Sequence, residues 1–401
     1  MPTLRFSKGR GQNVMADRES STPLSARVVD SVSGVDPGQW DRCAGSADPF
    51  VSHAFLAALE ESGSVGGRTG WQPAPILIER EDGTLLACAP GYFKSHSQGE
   101  YVFDHGWAEA WQRAGGDYYP KLQIAVPFSP VTGRRVLLAP DTPPGLARAL
   151  IGAVEQVVER HQLSSAHATF VAPEQIGIFE QAGWLIREDS QFHWENRGYR
   201  SFDDFLTVLS SARRKTLRKE RHKAREGLEI VHLTGAAIQP EHWRAFWTFY
   251  QDTGARKWGQ PYLTRSFFDL IGERMADRIL LILAVRDGRP IAGALNLIGE
   301  DTLYGRYWGC VEDVPFLHFE LCYYQAIDFA IEHDLARVEA GAQGGHKLAR
   351  GYAPVATWSA HYIADENFRA AVRRFLDQER QVVGADREWL AEHAPFRHEP
   401  E

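Results

Sequence analysis

Tyr304-Gly-Arg-Tyr-Trp-Gly-Cys310, followed by Phe319-Glu-Leu-Cys-Tyr-Tyr-Gln-Ala-Ile-Asp-Phe-Ala-Ile-Glu-His333 and then Arg337-Val-Glu-Ala-Gly341, is the stretch whose reading decides the fold. The first run has the aromatic composition of a strand. In the second, Phe319, Tyr323, Ala326, Ile327, Ala330 and Ile331 recur at three- and four-residue steps, while Gln325, Asp328, Glu332 and His333 fall on the other side. That period predicts an amphipathic helix with one buried stripe. A second strand then breaks at Gly341 into a glycine-rich loop carrying His346, Lys347, Arg350 and Tyr352, where a working site is expected.

The buried stripe needs a sheet to lie on. Leu281-Ile-Leu-Ala-Val285 and Ile291-Ala-Gly-Ala-Leu-Asn-Leu297 supply one, joined through Asp287-Gly288, a hairpin signal. The same order of elements is expected upstream. Ile76 to Cys88 reads as strand, Asp-Gly turn, strand; Tyr101-Val-Phe-Asp-His-Gly-Trp107 reads as an aromatic strand. A helix marked by Leu146, Leu150, Val154, Val157 and Val158 follows, then a strand from Ala166 to Val171. Two copies of one α/β unit account for this, with the join near Asn196 to Arg200. Ser201 and Asp204 then predict a capped helix start. The expected domains are 25–196 and 197–390. Residues 1–24 are expected to form a disordered tail, with an organelle transit segment as the alternative and Met15 as a second candidate start; 391–401 are read as a short tail.

Of 401 residues, 44% are hydrophobic and 24% charged, as in soluble globular proteins, and the length predicts more than one domain. A net charge of -8 argues against a DNA binder acting through its overall field. The four cysteines form no C-x-x-C pair and no disulfide framework, which fits a reducing cytoplasm. No apolar run reaches the ~20 residues that a membrane span needs.

In the first copy Asp104-His105, Trp107 and Trp111 either line a pocket or pack. The segment from Ala114 to Pro144, with Tyr118-Tyr-Pro-Lys121 and Pro127-Phe-Ser-Pro-Val-Thr-Gly133, is long enough to be a lid or binding loop. Between the copies, residues 211–226 predict a helix that concentrates positive charge in an acidic chain and ends at Gly227. Arg214, Arg218, Arg221 and Arg225 fall on one face. They suit a phosphate partner (an RNA backbone, a nucleotide-linked substrate or a lipid head group), or else pair with acidic neighbours. The chain has no G-x-x-x-x-G-K-[ST], no G-x-S-x-G and no H-E-x-x-H. His318-Phe-Glu320 has the spacing of a zinc deaminase start, but no P-C-x-x-C follows, so no metal ligand is assigned.

Taken together, the basic helix, the YGRYWGC strand, the HFELCYYQAIDFAIE helix and the EAGAQGGHKLARGY loop resemble the FemAB-like predicted N-acyltransferases of peptidoglycan biosynthesis or recognition. The resemblance covers nearly the whole chain after the tail. It implies an α/β (α+β) fold of two tandem acyl-CoA N-acyltransferase (GNAT)-like domains, each a mixed, mostly antiparallel sheet with flanking helices. Fem-type relatives move an amino acid from aminoacyl-tRNA to an amine of a peptidoglycan precursor. Their late lysine, in a loop that binds substrate phosphate, looks like Lys347, and their basic hairpin looks like Arg214 to Arg225. Residues 311–319 lack the glycine-rich pyrophosphate loop of acetyl-CoA enzymes, so an aminoacyl-tRNA or other activated acyl donor is favoured over acyl-CoA.

Acyl transfer requires a deprotonated amine, alignment and a stabilised oxyanion. Lys347 and Arg306 are the expected phosphate or oxyanion groups, and Glu320, Glu339 and His346 the expected bases or amine-positioning groups. Tyr304, Tyr307 and Tyr352 would position substrate or protonate a leaving group, with Arg350 and the four arginines of the helix as further substrate contacts. Two rival readings stand beside this one: a non-catalytic module binding an anionic glycan precursor or RNA, and an acetyl-CoA-dependent acetyltransferase of a small amine.

Overall fold

The computed structural model describes residues 4–5, 23–257, 261–341 and 345–396, with only the backbone of 4–5 and 254–257. An eleven-stranded sheet runs through both halves of the chain. From one edge its strands are Glu229–Thr234, Ile279–Arg286, Arg289–Ile298, Thr302–Cys310, Arg337–Glu339, Leu185–Glu195, Ala353–Ile363, Ser165–Val171, Lys121–Ile124, Gly91–Lys94 and Trp71–Pro73. A second sheet orders Leu4–Arg5, Leu24–Val28, Ile76–Arg80, Leu85–Ala89 and Leu137–Leu138. Pairing between these strands is antiparallel except at two places, Thr302–Cys310 with Arg337–Glu339 and Lys121–Ile124 with Ser165–Val171. Each parallel pair is bridged by a helix, as a parallel connection requires. The expected duplication is therefore visible as the same strand, helix, parallel strand unit in each half.

Local chemistry explains the elements that were read well. Asp287 and Gly288 both take positive φ (49° and 74°), the geometry of a two-residue hairpin turn whose twist matches its strands. Ser201 Oγ accepts from Asp204 N at 3.1 Å and opens the helix Phe202–Thr207. The basic helix spans Ser211–Arg225 and stops at Gly227, with φ +68°. In the helical run from Leu317 to Glu332, Tyr323, Ala326, Ile327, Ala330 and Ile331 are buried, as the periodicity requires, whereas Phe319 of the expected stripe is only half-buried and Gln325, expected on the other side, is buried with its amide on Glu320. Each large aliphatic among them contributes about 1.5–3 kcal/mol, so Ile327→Asp would unseat the helix.

Three expectations need correction. Tyr101 to Trp107 is no strand: Tyr101 turns the chain at φ +60°, and His105–Arg113 is a helix. Trp107 and Trp111 stand one helical turn apart, a period that the aromatic composition concealed. The strand in the place of Thr302–Cys310 is Lys121–Ile124, inside the segment expected to be a loop, and all four of its residues are buried. Part of the tail is structured as well, since Leu4–Arg5 pairs with the strand that begins at Leu24; most of the remaining tail lies outside the described residues, as does Met15.

The last strand, Ala353–Ile363, inserts between Leu185–Glu195 and Ser165–Val171 and so returns to the first half; the long helix Glu366–Glu392 follows it. Sheet pairing thus runs across the expected join at 196. Beyond the helix, Phe396 bridges to Leu209. One hydrophobic core also spans the halves, with Trp40, Phe50, Phe55 and Leu56 packed among Phe246, Phe267, Phe268, Leu281 and Leu295.

Candidate functional site

The parallel strand end at Glu339 is where the expected residues meet. Strand Thr302–Cys310 bulges between Gly305 and Tyr307, leaving Arg306 as the extra residue opposite Leu295 and Asn296. A bulge re-aims its side chain. Arg306 turns toward the first half, where its Nη2 donates to Phe128 O at 2.9 Å; Tyr307 OH reaches the same oxygen at 3.4 Å. Phe128 holds that carbonyl from a left-handed turn, φ +58°. The Pro127 to Gly133 segment therefore supplies part of the site, with Thr132 in a cavity wall and Pro130 O accepting from Gln191 Nε2.

Glu339 is buried, and its Oε2 has no hydrogen-bond partner among the described residues. Burial raises its carboxyl from 4.5 to about 8, against the pull of Arg337 and Arg306. Across the antiparallel pair stands His193, whose Nδ1 is 3.8 Å from Glu339 Oε1. Burial lowers His193 to about 3, so the imidazole is neutral and the contact is not an ion pair. Both residues line an open cavity of about 450 Å³ between the halves, with Thr132, Asn196, Arg337 and Trp358. A smaller cavity of about 90 Å³ opens at the bulge, bordered by Asn296, Arg306, His318 and Tyr323. A larger surface hollow, about 630 Å³ around Glu60, Arg68 and Thr69, contains none of the expected residues.

Lys347 lies in the short helical turn Gly345–Arg350; it is 2% exposed and donates to Gly341 O at 2.7 Å. Burial lowers its ammonium from 10.5 to about 8, with Arg306 adding to the effect. Arg306 thus acts electrostatically on both Lys347 and Glu339, and Lys347 acts on His193. These four groups form one electrostatic cluster around the strand end. Next to Lys347, His346 Nε2 lies 2.9 Å from Tyr323 OH.

Other candidates fall elsewhere. Glu320 is fully buried, and its Oε1 accepts from Arg225 Nε at 2.7 Å, Arg221 Nε at 3.3 Å and Gln325 Nε2. It belongs to a π-helical turn, Glu320–Tyr324, that ties the helix to the basic helix. Arg221 also pairs with Asp328 and stacks on Phe202, and Arg218 pairs with Asp203 at 2.9 Å. The guanidinium row is therefore largely neutralised by acids; Arg214 alone of the four has no ion pair among the described residues. The basic helix still meets the loop, because Glu220 holds Arg350 through two contacts, 2.8 and 3.0 Å. Tyr304 packs edge-on to Phe50 in the core shared by the halves, and Tyr352 is buried with its hydroxyl 3.4 Å from Tyr323 O. Burial raises both phenols well above their ordinary value.

Reasoning from the sequence missed His193, although Gln191, His193 and Glu195 alternate with Phe192 and Trp194, which marks a polar face. It also missed a buried network in the first half. Lys121 Nζ contacts Glu100 at 2.7 Å and Asp104, Tyr118 OH donates to Asp104 at 2.7 Å, and His167 Nδ1 lies 2.7 Å from His361 Nδ1. No group of residues suited to a metal ion occurs among the described residues, and none of their helices is long and apolar enough to cross a membrane.

The sequence matches the FemAB-like family, described as peptidoglycan biosynthesis/recognition, over residues 31–398. A search of curated proteins finds no match. Among solved structures the chain is similar to FemX, with 12% identity, a TM-score of 0.52, and coverage of 84% of this chain and 98% of that one. It is equally similar to the C-terminal domain (DUF2156) of a candidate lysylphosphatidylglycerol synthetase from Agrobacterium fabrum, at 10% identity, TM-score 0.52, and 84% and 96% coverage. A tandem GNAT protein from the clavulanic acid pathway aligns at 12% identity with a TM-score of 0.45, over 85% of this chain and 99% of that one. At these identities the likeness is one of fold.

Proposed function

Because the chain belongs to the FemAB-like family, we propose that it is a Fem-type N-acyltransferase that moves an aminoacyl group onto an amine of a peptidoglycan precursor. The observation that carries this reading is Glu339: a buried carboxylate, shifted to about 8, in the wall of a cavity between the halves, beside neutral His193 and within the field of Arg337 and Arg306. A base near the working pH takes a proton from an ammonium most effectively. The amine nitrogen attacks the acyl carbonyl as Glu339 receives its proton. Arg306, in the wall of the smaller cavity, supplies positive charge to the oxyanion, and Lys347, which lines neither cavity, adds to it from behind the strand end. Collapse then breaks the bond to the carrier, and the proton passes to the departing oxygen. His193, uncharged, accepts or donates a hydrogen bond to the acceptor without repelling it.

Aminoacyl-tRNA is the donor in this reading, because residues 311–319 lack the glycines that would bring backbone amides onto a coenzyme pyrophosphate. The pure binding module finds less support, since it relied on a free guanidinium row and three of the four are paired with acids. The test is a transfer assay with charged tRNA and a nucleotide-linked muramyl peptide, read by mass spectrometry of the peptide. Wild type should add one aminoacyl residue, and Glu339→Gln should bind the precursor within a few-fold of wild type yet form product about 10²–10⁴-fold more slowly. Acetyl transfer from acetyl-CoA to a small amine, with no product from charged tRNA, would overturn the reading.

A further inference from the structure

The helix Glu366–Glu392 carries two apolar faces, and the second is only lightly covered: Phe375 meets Trp107 edge-on, 6.3 Å between ring centroids, and Trp389 stacks on His393. Phe368, Val372 and Leu376 are buried against the first half. On the other side Phe375, Val382 and Trp389 are 45%, 61% and 57% exposed, spaced one heptad apart. Ala371 before them and Gln378 and Ala385 between them are exposed as well, at the alternating three- and four-residue steps of a coiled-coil seam. With the aromatic and valine residues at a, the d positions hold only alanine and glutamine.

We propose that this seam pairs with the same seam of a second copy of the chain, the two helices running antiparallel about a two-fold axis near Gln378 to Val382. In an antiparallel pair the a residues of one helix meet the d residues of the other. In this register Phe375 faces the second copy's Ala385, Trp389 its Ala371, and Val382 its Gln378. Each aromatic side chain then meets an alanine and Val382 meets Gln378, and the arrangement is self-complementary, as a two-fold interface requires. A parallel pair would instead stack Trp on Trp and Ala on Ala, crowding some layers and emptying others.

Charge follows the same register. On the flanking edge Arg374 comes beside the second copy's Glu388, and Gln381 beside its Gln381. Both Arg374 and Glu388 are exposed. The other edge brings the two Glu379 side chains together, but each is already held by Arg187 through contacts of 2.6 and 2.8 Å. The seam from Ala371 to Trp389 is about 27 Å long at the helical rise. Its aromatic ends are of the kind that dominate binding energy.

Sedimentation velocity on the full chain tests this. Wild type should sediment as a concentration-dependent dimer of twice 45.0 kDa. Val382→Glu, on an exposed face, should sediment as a monomer with an unchanged circular dichroism spectrum. Arg374→Glu should weaken the dimer at least tenfold, and Arg374→Glu with Glu388→Arg should restore it. Under oxidation Gln381→Cys should cross-link two chains, whereas Trp389→Cys should cross-link no more than wild type. A wild-type monomer at 100-micromolar order of concentration, a dimer indifferent to Val382→Glu, or a cross-link through Trp389→Cys rather than Gln381→Cys would each overturn the proposal.

Discussion

Glu339 and His193 face each other across an antiparallel strand pair, Oε1 to Nδ1 3.8 Å, and burial sets the charge of both. The carboxyl is raised from 4.5 to about 8 and the imidazole lowered to about 3, so near neutrality the pair carries at most the charge of Glu339.

The rate of transfer should rise with pH through about 8 as Glu339 ionises. Glu339→Gln should lower kcat by about 10²–10⁴-fold and remove that limb of the profile. Stability moves the opposite way. A raised carboxyl favours the folded state fully below 4.5, and that contribution is lost as pH rises through about 8. Urea midpoints of wild type should therefore fall over this window, and those of Glu339→Gln should fall less.

Lys347→Ala should reduce kcat by about 10²–10³-fold, the loss expected for one oxyanion-stabilising group, with the circular dichroism spectrum retained. Lys347→Met keeps the side-chain volume. Because the ammonium is lowered to about 8, its burial costs stability below that pH and the cost is relieved up to 10.5. The methionine variant should match or exceed wild type in urea below pH 8. Normal turnover in either variant would take Lys347 out of the mechanism.

Glu320 anchors Arg221 and Arg225 rather than facing either cavity. Glu320→Gln should cost about 1.5–3 kcal/mol in chemical denaturation, the worth of charge-assisted hydrogen bonds, and leave kcat within a few-fold of wild type. A complete loss of turnover in a folded variant would return Glu320 to the list of bases.

Asp104 is pushed up by burial but held below the usual carboxylate range by Lys121, which has Glu100 as its other counter-charge. Asp104→Asn should cost about 3 kcal/mol at pH 7, since it leaves a buried ammonium half compensated. The stabilisation is present above the ordinary value of 3.8 and is lost as pH falls further, so the difference in thermal midpoint between wild type and variant should begin to shrink below that point.

Much of the local architecture was legible. The Asp287-Gly288 turn, the basic helix ending at Gly227 and the buried stripe from Tyr323 to Ile331 all follow from period and turn chemistry, which short segments carry by themselves. Tyr101 to Trp107 was misread because aromatic residues are frequent in strands, while the helix that begins at His105 owes its place to Trp107 packing on His361 and Trp111 on Phe368, more than 240 residues away in sequence. The strand Lys121–Ile124 was hidden for a related reason: Lys121 and Gln123 look like loop residues until Glu100, Asp104 and Thr169 satisfy them.

The amino-acid sequence by itself determined the hairpin, strand and helix of the second unit, the helix and last strand of the first, and the family likeness, because these depend on neighbours within a turn or a pleat. Tertiary structure alone decided that Ala353–Ile363 returns to the first half, that Arg221 and Arg225 are consumed by Glu320 and Asp328, and that Glu339 shares a cavity with His193. Side-chain periodicity tells which face of an element is buried but not against what, and the charge of a buried group is set by whatever closes over it.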